Sequence, residues 1–107
     1  MQEKVTVTWV GSLKNGMGSI SSESGAIQNA PYSFATRFEN KKGTNPEELI
    51  AAAHAACFSM ALSGMLGKDG FEAKTINASA IVTIEKVGND WTIGKSHLEV
   101  TAEVPTK

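Results

Sequence analysis

The chain has 107 residues, of which 41% are hydrophobic and 20% charged, a composition typical of one soluble globular domain spanning residues 1–107. Its net charge of −1 and its scattered basic residues lack the electrostatic footprint of a protein that binds nucleic acid or an anionic membrane. The N-terminus has no basic stretch followed by a long apolar one, so no secretory signal is predicted. A single cysteine excludes an internal disulfide framework, and a reducing cytoplasm is the expected location.

The first part of the chain is predicted to form short strands. Residues 5–10 alternate with the period of two that indicates a half-buried strand, and a turn follows at Gly11. After the turn signal Asn15-Gly16, β-prone pieces at 17–21 and 26–28 indicate a small meander.

The stretch YSFATRF at 32–38 alternates again and predicts another strand. In an extended conformation, Phe34 and Phe38 would share one face and Arg37 would lie on the other. A polar connector, ENKKGT, follows.

A long helix is predicted over residues 46–66. Asn45 is a suitable N-cap, Pro46 suits the first helical position, and Glu48 lies where a capping-box partner is expected. Gly67 is the expected stop. At 1.5 Å per residue the helix would be about 31 Å long, enough to cross a small domain.

The same helix is also a candidate for a membrane-spanning segment. Residues 49–66 carry no formal charge over 18 residues, which only just reaches the length required. Its many alanines, the polar residues His54, Ser59 and Ser63, and the amphipathic strands on both sides favour a central buried helix instead.

Two long strands are predicted after the helix. Even-numbered positions from Ile76 to Ile84 are apolar, and Gly88-Asn89-Asp90 marks the turn into a second run. The apolar phase of that run slips near Gly94, which indicates a β-bulge. The expected fold class is therefore α+β, with an antiparallel sheet wrapped on a long central helix.

Cys57, the only cysteine, is the first candidate for chemistry. It lies well inside the helix, where the macrodipole is weak, so activation of its thiol needs a side chain from elsewhere. His54 is three residues earlier and is expected on the same helix face, which permits a Cys/His pair. Inert packing of the cysteine and a structural role for the histidine remain the alternatives.

Arg37 and Glu47 are further candidates. Arg37 is the only arginine against nine lysines, and its planar guanidinium suits a thiolate or a carboxylate; a surface strand residue is the alternative. Glu47 lies ten residues before Cys57, about 15 Å away along the helix, so it cannot reach that thiol within one chain. If two copies of the helix crossed antiparallel near Ala52, Glu47 of one would meet Cys57 of the other.

The stretch PYSFATRFENKKGTNPEELIAAAHAACFSMALSGMLGKDGF closely resembles the osmotically inducible protein C branch of the OsmC/Ohr family, the thiol-dependent hydroperoxide reductases of bacteria. Trp9 and the SSESG stretch at 21–25 extend the resemblance over nearly the whole chain. The resemblance implies an intertwined homodimer, with sheets around central helices and active sites at the subunit interface.

The resemblance also implies roles for individual residues. Cys57 matches the peroxidatic cysteine, Arg37 the arginine that stabilises its thiolate, and Glu47 the carboxylate that orients that arginine or thiolate. An apolar pocket including Phe34, Phe58 and Met60 would favour bulky organic hydroperoxides. No metal or organic cofactor is expected; an external dithiol such as dihydrolipoamide, or a lipoyl protein, is the expected reductant.

One departure from the family pattern is important. Family members continue beyond the last strand with a helix that carries a second cysteine, and the 107 residues contain none. The chain is therefore interpreted as a fragment; a one-cysteine cycle or a loss of turnover are the alternatives.

Two other functions stay open on the residues alone. A non-catalytic dimeric stress or ligand-binding protein would have an unreactive Cys57, whereas a Cys/His acyl-transfer enzyme would depend on His54 as its base.

Overall fold

The computed structural model describes residues 1–105. The chain falls into two compact units, Met1–Pro46 and Glu47–Lys107. The elements in chain order are β1 Val5–Val10, β2 Met17–Ser22, β3 Ala30–Tyr32, α1 Phe34–Phe38, α2 Pro46–Lys68, β4 Thr75–Val87 and β5 Asp90–Glu103. This mixture of helix and antiparallel strands confirms the α+β class.

The first unit is built on an antiparallel sheet with the strand order β1-β2-β3. The turn between β1 and β2 is closed by a hydrogen bond from the Gly16 N–H to the Ser12 carbonyl at 2.7 Å. Ile20 of β2 is 5% exposed and is the one buried apolar side chain among residues 1–105. Val5 and Val7 remain about half exposed, at 55% and 50%, so this sheet covers little of its own apolar surface.

Gly18 allows two aromatic rings to meet across the sheet. It pairs with Trp9 of β1 on one side and with Tyr32 of β3 on the other. The two ring centroids are 5.5 Å apart, and a Cβ at position 18 would overlap the Tyr32 ring. The glycine is therefore required by the close approach of the ring and not by an unusual backbone angle.

The predicted strand at 32–38 is wrong, because the chain forms the short helix α1 after Tyr32. Ser33 is its N-cap: the Ser33 hydroxyl accepts from the Thr36 N–H at 3.3 Å, and the Thr36 hydroxyl accepts from the Ser33 N–H at 2.9 Å. This reciprocal capping box satisfies the free donors at the helix start, and it overrides the apolar-polar alternation. Phe34 and Phe38 are then one turn apart, with ring centroids at 4.9 Å.

The predicted β-piece at 26–28 is also wrong, because those residues belong to a loop closed by Ser22. The Ser22 hydroxyl accepts from the Ile27 N–H at 2.9 Å, and the Ser22 N–H donates to the Ile27 carbonyl at the same distance. The strand that pairs with β2 begins only at Ala30.

Helix α2 begins at Pro46, as predicted, but ends at Lys68 and not before Gly67. Gly70 takes a left-handed φ of 86°, and its N–H donates to the Gly67 carbonyl at 3.1 Å. The Phe71 N–H donates to the Leu66 carbonyl at 2.9 Å. These two bonds form a Schellman motif around Gly70, which is therefore the glycine that stops the helix.

Strands β4 and β5 form a long antiparallel hairpin. Gly88, with a φ of 64°, occupies the first position of its two-residue loop, where a positive φ is required. Thr83 pairs with Lys95 and Ile84 with Ile93, so Gly94 is the extra residue of a bulge, as predicted.

The close fit of Tyr32 on Gly18 gives a stability test. We expect Gly18→Ala to lower the free energy of unfolding by about 1–3 kcal/mol, because the new methyl group overpacks against the ring. Urea unfolding followed by tryptophan fluorescence measures the change. Gly67→Ala is the control: its added Cβ meets nothing within 4 Å outside its own helix backbone, and the higher helix propensity of alanine should leave that protein no less stable than the wild type. A Gly18→Ala protein as stable as the wild type would contradict this account.

Candidate functional site

The first unit contains a cleft of about 270 Å³ beside α1. Its lining combines one guanidinium with mostly aromatic and aliphatic side chains: Trp9, Leu13, Tyr32, Ser33, Phe34, Arg37 and Phe38. The predicted pocket residue Phe34 and the predicted catalytic residue Arg37 therefore line the same cleft. An apolar cleft with one cation suits an organic molecule whose polar group is small.

Arg37 lies in the last turn of α1, and its guanidinium stacks on an aromatic ring. The Cζ atom is 4.9 Å from the centroid of the Phe38 ring. At this distance the ring quadrupole attracts the cation, and the ring covers one face of the guanidinium.

Cys57 lies on α2 and is exposed. Its neighbours Phe58 and Met60 are exposed as well, at 40% and 81%. No side chain of α2 is buried, and all 23 residues of this helix are within the described part of the chain. The thiol therefore stands on an apolar surface that is open in the single chain.

One side of α2 is half-buried, and His54 belongs to it. The His54 Nδ1 lies 2.6 Å from the hydroxyl of Ser96 on β5, a hydrogen bond in which either group is the donor, according to the imidazole tautomer. The side-chain bond seen for His54 is thus directed to the hairpin, whereas the sequence suggested a pair with Cys57. We interpret His54 as a structural residue whose hydrogen bond joins α2 to β5.

Glu47 is in the first turn of α2, where a carboxylate is favoured by the helix dipole. Ten residues separate it from Cys57, so the two side chains are about 15 Å apart along the helix axis. A single α2 therefore does not bring Glu47 to the thiol. Arg37 and Phe34 are in the first unit, whereas Glu47, His54, Cys57, Phe58 and Met60 are in the second.

Three comparisons identify the family. A family model described as OsmC-like protein matches residues 39–107. Peroxiredoxin OsmC of Escherichia coli strain K12 is 50% identical over 105 residues, which cover 98% of this chain and 73% of that protein. Peroxiredoxin OsmC of Shigella flexneri matches with the same identity and coverage.

The chain belongs to the OsmC family. The resemblance inferred from the sequence is thereby confirmed.

Solved structures agree with this assignment. The organic hydroperoxide resistance protein OhrB of Bacillus subtilis superimposes with a TM-score of 0.60 at 28% identity, over 94% of this chain and 70% of that one. An organic hydroperoxide resistance protein from Elizabethkingia anophelis gives a TM-score of 0.67 over the whole chain and 74% of that protein. At 22% identity, the second likeness supports the fold alone.

OsmC-family membership bears on the apolar helix. By length and composition α2 is able to cross a membrane, but the core helix of a soluble protein meets the same criterion. A fold shared with hydroperoxide resistance proteins favours the core-helix interpretation.

The sequence interpretation missed several residues of the cleft in this OsmC-family chain. Trp9, Tyr32 and Phe38 line it beside Arg37, and the Phe38 ring centroid lies 4.9 Å from the guanidinium carbon. The available signal was the Ser33-to-Thr36 spacing of a capping box, followed by two phenylalanines four residues apart, a helical spacing.

The contribution of the His54–Ser96 hydrogen bond to stability can be tested by a double-mutant cycle. We expect His54→Ala and Ser96→Ala to couple by about 0.5–1.5 kcal/mol in unfolding free energy, because each removes the same hydrogen bond. His97→Ala is the matched control: His97 is exposed and 3.6 Å from Glu99, and such surface pairs contribute about 0–1 kcal/mol. Additive effects of His54→Ala and Ser96→Ala would show that this hydrogen bond does not contribute to stability.

Proposed function

We propose that this chain is a thiol-dependent peroxidase that reduces organic hydroperoxides in stress defence, with Cys57 as the reacting group. The observation that carries the proposal is an exposed cysteine on the apolar helix α2, in a chain half identical to proteins named peroxiredoxin. Exposure gives the thiol the access that a peroxidatic cysteine needs.

The reaction at Cys57 is a two-electron oxidation. The thiolate sulfur attacks one oxygen of the O–O bond, the bond breaks, and the other oxygen leaves as an alkoxide that takes a proton to become the alcohol. The cysteine retains the attacked oxygen as sulfenic acid. Two electrons from an external dithiol then restore the thiol and release water. Cys57 is the only thiol of the 107 residues, so the reducing sulfur comes from outside them.

Arg37 and Glu47 assist this step in the proposal. The arginine of the resembling family members stabilises the thiolate, and a guanidinium cannot itself be deprotonated at working pH, so it supplies a constant positive charge. The Phe38 ring contacts a face of the guanidinium and not its N–H edges, through which a guanidinium donates hydrogen bonds. Glu47 would accept such a bond and fix the orientation of the arginine.

Substrate preference follows from the apolar surroundings. Phe34 lines the cleft, and Phe58 and Met60 flank the thiol along α2. These side chains bind an alkyl or aryl group better than they bind water, which favours an organic hydroperoxide over hydrogen peroxide. Dihydrolipoamide or a lipoyl protein is the proposed reductant, and the cytoplasm the proposed location.

A homodimer is part of the same proposal. The uncovered side of α2 carries Ala52, Ala53 and Ala56, and small side chains allow two helices to approach closely. An antiparallel crossing near Ala52 places Glu47 of one chain at Cys57 of its partner. Each of the two sites would then contain residues of both chains.

Replacement of the thiol tests the activity. We expect Cys57→Ser to abolish consumption of cumene hydroperoxide with dihydrolipoamide as reductant, since a serine oxygen cannot take up the peroxide oxygen as sulfur does when it forms sulfenic acid. As a matched control, Ser63→Cys in the Cys57→Ser protein puts a thiol elsewhere on the exposed side of α2. Equal activity in that control and the wild type would show that position 57 has no special role.

Subunit mixing tests the shared site. We expect Glu47→Gln and Cys57→Ser proteins to be nearly inactive separately. After unfolding and refolding together in equal amounts, random pairing gives half heterodimers with one intact site each, so about one quarter of wild-type activity returns. Activity in the mixture no higher than the mean of the two parents would contradict the assembly in trans.

A further inference from the structure

The cleft beside α1 contains a concentration of aromatic rings. The chain has two tryptophans, one tyrosine and four phenylalanines, and four of these seven residues line the cleft: Trp9, Tyr32, Phe34 and Phe38. All four are half-buried, so each ring is partly covered by the first unit and partly accessible. The cleft therefore differs from a general apolar surface, which aliphatic side chains would form equally well.

The four rings form two tilted pairs. The centroids of Trp9 and Tyr32 are 5.5 Å apart with the planes inclined by 52°, and those of Phe34 and Phe38 are 4.9 Å apart with an inclination of 55°. A further ring that stacks parallel on one member of a pair is inclined by the same angle to the other member. Such a ring makes a stacked and a tilted contact at once, and both arrangements suit the negative faces and positive edges of aromatic rings.

The aromatic walls are fixed within the first unit. The Trp9 Nε1–H donates to the Gly11 carbonyl at 3.0 Å, and the Tyr32 ring fits against Gly18. The capping box holds α1, which carries Phe34 and Phe38. A site whose walls are already ordered loses less conformational entropy when a ligand binds.

The size of the cleft fits one ring. Its volume is about 270 Å³, and an apolar cavity of about 150 Å³ takes up one benzene molecule. The cleft therefore has room for one benzene ring with a short substituent.

We propose that this cleft is a binding site for a single benzene ring, and that it distinguishes an aryl group from a saturated ring of the same size. The inference deepens the proposed function and, as a statement about substrates, rests on it: aryl hydroperoxides are then the preferred class. The binding itself depends only on residues 9–38, all of which belong to the first unit.

The test compares two alcohols that differ only in the ring. One is cumyl alcohol, which is formed when cumene hydroperoxide is reduced, and the other is dimethylcyclohexylcarbinol, its saturated counterpart. A Trp91→Phe protein has Trp9 as its only tryptophan, so a saturable change in its fluorescence reports on the cleft. A Trp9→Phe protein, which retains only Trp91, is the control for the location and should show no saturable change.

The expected result is tighter binding of the phenyl compound. The saturated ring has the larger apolar surface, so burial alone favours it. Each contact between aromatic rings adds about two- to twelvefold in affinity beyond burial, so we expect cumyl alcohol to bind at least about twofold more tightly. Equal or weaker binding of cumyl alcohol, or a fluorescence change that does not saturate, would overturn the inference.

Two variants in the Trp91→Phe background separate ring contacts from general packing. Phe34→Leu removes a ring but keeps an apolar side chain, so it should weaken cumyl alcohol by about two- to fivefold and leave the saturated alcohol nearly unchanged. Leu13→Ala is the matched control: Leu13 lines the cleft and is 68% exposed, and its truncation should weaken both alcohols equally. A folded Phe34→Leu protein that keeps the full preference would also overturn the inference. If Phe34→Leu does not fold, the preference measured in the Trp91→Phe protein decides.

The two proposals fail differently, because the alcohols bind without any reaction at Cys57. If cumyl alcohol binds preferentially but Cys57 does not react with hydroperoxide, the binding site stands and the proposed function is refuted. If Cys57 reduces hydroperoxide but the cleft does not prefer the phenyl compound, the function stands and the binding site for a benzene ring is refuted.

Discussion

The rest of the structure depends on one constraint: helix α2 is apolar around its whole circumference. The helix has 23 residues, and its only charged side chains are at its two ends, yet none of its side chains is buried in the single chain. Apolar surface removed from water stabilises by about 25 cal/mol per Å², so an uncovered face of this length favours association strongly. Cys57 stands on that face. What covers the helix therefore also completes the surroundings of the thiol.

The two units contribute different chemistry to this account. The second supplies a thiol on a regular helix whose half-buried side is tied to β5 through His54 and Ser96. The first carries Arg37 on a short capped helix, beside the rings of Phe34 and Phe38, which are tilted by 55° to each other. A helix backbone fixes the position of a short cysteine side chain well, whereas a long arginine side chain needs additional contacts to stay in one orientation.

Much of the fold was predictable from the sequence, because the sequence patterns of its longest elements extend over many residues. The β4–β5 hairpin, the bulge at Gly94 and the start of α2 are confirmed by the structure. The wrong predictions lie where local hydrogen bonds outweigh the periodicity of apolar residues. The capping box at Ser33 stabilises the helix α1 where a strand was predicted. The Schellman motif ends α2 at Lys68, beyond the predicted end. Family membership, inferred from the stretch around Cys57, is confirmed, while the roles of Arg37, Glu47, Phe34, Phe58, Met60 and His54 stay predictions.

The measurement that tests the central claim most directly is the intact mass of the purified protein after a brief exposure to one equivalent of cumene hydroperoxide, with dimedone present to trap sulfenic acid. The account predicts one dimedone adduct per chain within seconds, located at Cys57 by peptide mapping, and one molecule of alcohol released for each adduct. A protein that keeps its original mass while the hydroperoxide remains unconsumed would contradict the assignment of Cys57 as a peroxidatic cysteine.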